Sequence, residues 1–291
     1  MKKLYLVLMS MFFISFASAE ECSITNLASC ISQNFFDFFL NILNAPIQPL
    51  LNMVFALLTE PVNISLFSGT WGIIVYILSM FYGLLLIYVG FKFIFAGYSV
   101  EQREKAKSSL ARILIMMVLV QASFYIYELT IELVASLNSV VLNLVPSNFF
   151  LLTIDNLTNI GLQFVFITPY LIAIITTLIF LVLRYMIVSF GVIFFAIGIF
   201  FYFIEPLNNY GRLIVNFLFS TIFMTFFYTL IFLASSKLLD LPIYQNTKML
   251  VMIGAFSLVN LLSIIACIFI IVKASQNIVS PVVRTIRLLG G

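Results

Sequence analysis

Apolar positions in this chain come in long uninterrupted blocks, not in the alternation of a half-buried strand or the single stripe of a soluble helix. Blocks of this length predict helices that cross a membrane. The first confident block covers 71–97; its only charge is Lys92, near its end, where the side chain can snorkel to the interface. A second runs from 113 to 137, and further blocks cover 161–204, 213–234 and 250–272. As one helix, 161–204 would reach about 66 Å, against a hydrocarbon core of about 30 Å. It is therefore expected to split at Arg184 into two spans, giving six. A count of five, with part of 161–204 re-entrant, would instead put the basic tail of Lys273, Arg284 and Arg287 on the same side as the other basic loop.

Upstream, the pattern changes. Lys2 and Lys3 precede an apolar run from Leu4 to Phe16, then Ala17-Ser18-Ala19 and the acidic pair Glu20-Glu21. That order is expected of an export signal at 1–19, with an uncleaved first helix as the alternative; either way the next segment emerges outside. Residues 31–58 are apolar but carry Asp37, Pro46 and Pro49, and prolines at this spacing predict two short interfacial helices. The expected organisation is a signal at 1–19, an exported segment at 20–70, a transmembrane helical domain at 71–275 and a tail at 276–291. The fold class is all-α, a polytopic transmembrane bundle of five to six spans.

Charge then orients the bundle. Arg103, Lys105, Lys107 and Arg112 form the densest basic cluster after the signal, which places the loop at 98–112 in the cytoplasm. The loop is expected to be helical: Ser99 and Gln102 have capping spacing, and Glu101 precedes Lys105 by four. It reads either as an orientation signal alone or as a docking surface for a cytoplasmic partner. Two acceptor triplets for glycosylation, at Asn63 and Asn156, fall where external loops are expected.

Composition confirms the solvent and removes most chemistry. The chain is 63% apolar and 9% charged, against about 45–50% and about 25% in soluble domains. A net charge of +3 argues against a nucleic-acid-binding surface. There is no histidine, no phosphate-binding Gly-rich loop with its Lys, no Gly-x-Ser-x-Gly elbow and no catalytic carboxylate pair. The chain is therefore expected not to be an enzyme and to need no cofactor or metal. Of its three cysteines, Cys22 and Cys30 could close an external disulfide loop, and Cys267 reads as a buried packing residue.

A few intramembrane residues stand out. Glu128 and Glu132, four apart, lie on one helix face, either toward the bundle interior or near the outer headgroups. Arg184 is either a turn residue at the inner face or an interior charge paired with an acid. Gly83, Gly90 and Gly97, and again Gly191 and Gly198, recur every seven residues, a spacing that lets a neighbouring helix approach closely.

Two stretches carry a family resemblance. Residues 98–138, YSVEQREKAKSSLARILIMMVLVQASFYIYELTIELVASLN, resemble archaeal members of the TrbL-like polytopic channel family of type IV secretion and conjugation machines. So do residues 184–216, around Gly191, Gly198, Pro206 and Gly211. The resemblance implies an oligomeric component of the cytoplasmic membrane that moves DNA or protein. It also implies a separate secretion-type ATPase and small pilin-like subunits as partners. The outer loop near 138–160 is shorter than the central external region often found in bacterial members. The other readings are a secondary transporter for a small solute and a structural assembly protein without a conduit.

Overall fold

The computed structural model describes residues 27–146, 148–152, 160–244 and 247–289. Six α-helices fill almost all of this: α1 (Leu27–Thr59), α2 (Ser68–Phe95), α3 (Val100–Leu142), α4 (Ile160–Phe203), α5 (Asn208–Leu238) and α6 (Lys248–Leu289). Each contains a stretch long and apolar enough to cross a membrane. No strand occurs among the described residues. The chain is thus an all-α, multi-pass membrane bundle.

Two expectations about the elements are corrected. Pro46 and Pro49 do not divide 31–58; both lie inside α1. A proline removes one donor and crowds the preceding turn. Here one face of α1, made of Ile47, Leu51, Val54 and Leu58, is almost fully buried with Tyr170, Ile174 and Leu181 of α4, and that packing holds the helix together. Nor does the chain turn at Arg184: α4 is one helix of 44 residues with Arg184 in its interior.

Contacts along α3 give the direction of each passage. Gly97 meets Arg103, Trp71 meets Ser123 and Leu58 meets Asn138. Farther up, Asn44 bonds both the N–H and the carbonyl of Leu152 in the loop after α3. From Asn44 to Gly97 the chain therefore runs one way along α3. α1 and α2 are two parts of a single passage, interrupted at 60–67. With α3, α4, α5 and α6, the chain makes five traverses between the two ends of the bundle, although each of the six helices holds a stretch long and apolar enough to span. The α2–α3 turn at 96–99 and the α4–α5 turn at 204–207 share one end, here called lower, as the Arg112–Glu205 contact of 3.7 Å requires. α6 starts at the upper end, where the Lys248 ammonium donates to the Asn148 and Leu151 carbonyls, and then descends past α4 and α5.

The core has two parts. An upper cluster joins α1, Phe149, Phe150 and the upper portions of α4, α5 and α6. A lower cluster joins Val62, Ile64, α2, α3 and the lower portions of α4 and α5. Val62 and Ile64 belong to the same cluster as Val75 and Leu78. The outward faces carry large apolar side chains such as Ile73, Met80, Leu84, Ile87 and Ile94, as a lipid solvent requires.

Candidate functional site

The break between α1 and α2 lies at mid-height. It is bracketed on α3 by Asn138 above and Ser123 below, and the Asn63 N–H donates to the Tyr185 hydroxyl near the middle of α4 (3.4 Å). Val62 and Ile64 turn inward, whereas Glu60, Asn63 and Ser65 are exposed. The Asn63 side-chain oxygen accepts from the Ser65 N–H (3.1 Å) and hydroxyl (2.6 Å), forming an Asx turn. Asn63, expected in an external loop, lies in the break beside Tyr185 of α4. Asn156 lies outside the described residues.

The same height on α3 carries Glu128, half-buried, and Glu132, exposed. Both fall between the Ser123 and Asn138 contacts, where α3 runs past the break. Neither joins an ion pair among the described residues. At this height the bundle thus carries two carboxylates on α3 and the polar turn groups of 60–65.

Arg184, in the interior of α4, is 8% exposed. Its Nε donates to the Thr221 carbonyl (3.2 Å) and one terminal nitrogen to the Ile222 carbonyl (3.1 Å). A helix carbonyl has a second lone pair, so α5 accepts these bonds without giving up its own. Arg184 is thus an interior charge, as one of its two readings held, but it is held by backbone dipoles and not by an acid.

A ladder of buried polar pairs fixes the helices in register. Trp71 donates to Ser123, and Tyr127 to the Val188 carbonyl (2.9 Å each). Asn138 donates to the Leu58 carbonyl (2.8 Å) and the Thr225 hydroxyl (2.9 Å). Thr177 pairs with Asn260 (2.9 Å), and Tyr228 with Ser263 (2.5 Å). In an apolar solvent such pairs replace hydrophobic contrast as a source of specificity. Sequence reasoning missed them, although single Asn and Thr residues inside apolar runs were a usable signal.

The glycines divide. At Gly191 an added Cβ would collide with the Tyr127 hydroxyl and lie 2.8 Å from Leu218; at Gly198 it would lie 2.9 Å from Ile214. At Gly211 it would meet the Tyr202 backbone and the Gly198 carbonyl (2.7 Å). Gly83, Gly90 and Gly97 face open space, so their expected role in packing is not found within this chain. Cys267 is exposed on α6 and not the buried packing residue expected. Cys22 lies outside the described residues, as does the side chain of Cys30.

At the lower end the basic segment is the first part of α3. The Ser99 hydroxyl accepts from the Gln102 N–H (3.3 Å) as an N-cap, and Lys105 pairs with Glu101 at 2.7 Å. Arg103 reaches the Gly97 carbonyl, and Lys107 is exposed without an ion pair among the described residues. Only Arg112 faces the α4–α5 turn, leaving Arg103, Lys105 and Lys107 on a helical hairpin that projects past it.

Fold and site together define a multi-pass helical membrane protein with a break at 60–67 between two co-directional helices and a basic hairpin at one end. Comparison with protein-family models, with curated proteins and with solved structures yields no match.

Proposed function

We propose that the chain is a channel or scaffold subunit of a type IV secretion-like transfer apparatus in the cytoplasmic membrane. It would work as a homo-oligomer with a separate ATPase and small pilin-like subunits, passing DNA or protein. The observation that carries the oligomeric reading is the break at 60–67. Irregular backbone at membrane depth persists only where protein covers it or water reaches it. Here the polar side of the break, with Glu128 and Glu132 at the same height, faces out of the bundle. Copies arranged about a shared axis would turn that side away from lipid and toward a common polar path. The projecting basic hairpin supports the partner assignment, because exposed cations on a capped helix steer an acidic protein surface. The family resemblance supplies the transfer apparatus itself.

A secondary transporter is the second reading, favoured by the broken passage and the buried Arg184. Repeat-built transporters carry corresponding breaks in both halves, whereas α3 to α6 are each a single helix. The test uses the full chain in native membranes. Arg103 and Lys107 are changed to Gln, two Lys are added in the flanks, and topology is checked. Loss of ATPase co-isolation and of transfer supports the proposal; wild-type levels of both overturn the docking role. In parallel, Asn63→Cys or Ser65→Cys should cross-link between copies, while Leu86→Cys should not. No cross-link at 63 or 65 overturns the shared axis.

A further inference from the structure

We propose that the lower end of the bundle holds the phosphate headgroup of an anionic phospholipid, in the cleft between the α2–α3 hairpin and the α4–α5 turn. Two adjoining hollows share Arg112, Phe203 and Glu205. One, of about 470 Å³, is lined by polar groups including Arg112, Arg212, Asn208 and Asn209. The other, of about 240 Å³, contains Lys92 and Ser109 and has an apolar wall of Leu85, Val89, Ile113 and Met116.

The charge count leaves an anion missing. Three cations, Lys92, Arg112 and Arg212, face one carboxylate, Glu205. The Arg112–Glu205 pair is long at 3.7 Å and largely exposed, so it is weak and leaves Arg112 able to take a second acceptor. Arg212 and Lys92 have no acid partner among the described residues. Each is instead placed over a ring: Arg212 over Tyr202 at 5.6 Å and Lys92 over Tyr88 at 4.8 Å. The rings aim the cations without neutralising them. Two guanidiniums and an ammonium around a hollow suit the several oxygens of a phosphate, with Arg as a fork and Lys as a point charge.

The apolar wall identifies the lipid as the source of that phosphate. The wall runs out of the hollow at Tyr88, which is exposed and lies one turn from exposed Leu84 on the same outward face of α2. A headgroup seated on Arg112 and Arg212 would send its acyl chains down this surface. A soluble phosphate has no use for the wall. Basic hollows between spanning helices at the membrane surface are a recurrent form of anionic-lipid recognition.

The experiment uses the purified full chain, delipidated in neutral detergent and probed by native mass spectrometry. Phosphatidylglycerol and phosphatidylcholine are added separately, and inorganic phosphate is added as a competitor at millimolar concentration. The expected result is selective retention of phosphatidylglycerol, reduced about tenfold in Arg112→Gln/Arg212→Gln, with no displacement by inorganic phosphate. If the double variant is unstable, Lys92→Gln, which breaks no ion pair, should give a smaller loss in the same direction. Equal retention of both lipids, or undiminished preference in the variants, overturns the site. Displacement by inorganic phosphate overturns the lipid as its occupant.

Discussion

Replacing Gly191 with Ala tests whether the packing of α3, α4 and α5 is as close as the structure has it. The new Cβ would fall on the Tyr127 hydroxyl and 2.8 Å from Leu218. Tyr127 cannot swing away easily: it is fully buried, lies 5.2 Å from the Phe195 ring and donates to the Val188 carbonyl at 2.9 Å. Overpacking a close site costs about 1–3 kcal/mol. Loss of the Tyr127 bond would add about 0.6 kcal/mol, the average for polar contacts between membrane helices. Ala returns up to about 1 kcal/mol through helix propensity. With the full propensity gain, the net expectation is a loss of about 0.6–2.6 kcal/mol. Gly211→Ala should cost more, because the obstruction there is the Tyr202 backbone and no side chain can rotate aside. Gly90→Ala meets nothing and should be neutral or stabilising by up to about 1 kcal/mol. Reversible unfolding in mixed micelles of rising denaturing-detergent content measures all three. In a Tyr127→Phe background the cost of Gly191→Ala should fall, since the colliding oxygen is gone. Equal stability of the Gly191→Ala and Gly90→Ala proteins, or no relief from Tyr127→Phe, refutes the contact.

Asn138→Leu should loosen the end of α1, because the Leu58 carbonyl is one of the last in that helix and takes its bond from Asn138. An orphaned buried carbonyl costs about 1–3 kcal/mol, and hydrogen exchange at 55–64 should rise selectively; unchanged protection would rule the cap out. Arg184→Met should leave the bundle at least as stable as the wild type, since the Thr221 and Ile222 carbonyls keep their helical partners and a buried charge is removed. A large drop in melting temperature would show that the guanidinium is a structural tie. Cys22 and Cys30 should be joined in the mature protein, and non-reduced peptide mapping that finds two free thiols would exclude the pairing.

What could be read ahead of the structure was what depends on neighbours in sequence. The helix from Ser99 was legible because its cap and the Glu101–Lys105 pair lie within one or two turns. The seven-residue spacing of Gly191 and Gly198 was legible as a face, and a partner helix occupies it. The identical spacing of Gly83, Gly90 and Gly97 has no such occupant, because spacing defines a face but not what comes against it. Pro46 and Pro49 misled for the same reason: their cost is local, but the stripe of Ile47, Leu51, Val54 and Leu58 that outweighs it packs on residues more than a hundred positions away. Arg184 misled through length. A helix too long for the hydrocarbon invited a turn at its one charge, whereas the carbonyls that hold that charge belong to α5.

The same correction bears on the side of each terminus. Reading 161–204 as two spans placed the basic tail opposite the basic loop, against the preference of Lys and Arg for the cytoplasm. With α4 as one passage, and with α1 and α2 sharing another, the number of passages is odd. α6, which itself bears Lys273, Arg284 and Arg287, then descends toward the end that carries Arg103, Lys105 and Lys107. If the segment after residue 19 is exported, as the order of Lys2, Lys3 and the following apolar run predicts, loop and tail would share the opposite side. Cysteines placed at 105 and 284, in a background with Cys22, Cys30 and Cys267 changed to Ser, should both resist an impermeant thiol reagent in intact cells. Both should react once the membrane is opened. Labelling of either position alone in intact cells would mean an odd number of crossings between them, and the reading of α3, α4, α5 and α6 as one crossing each would have to be abandoned.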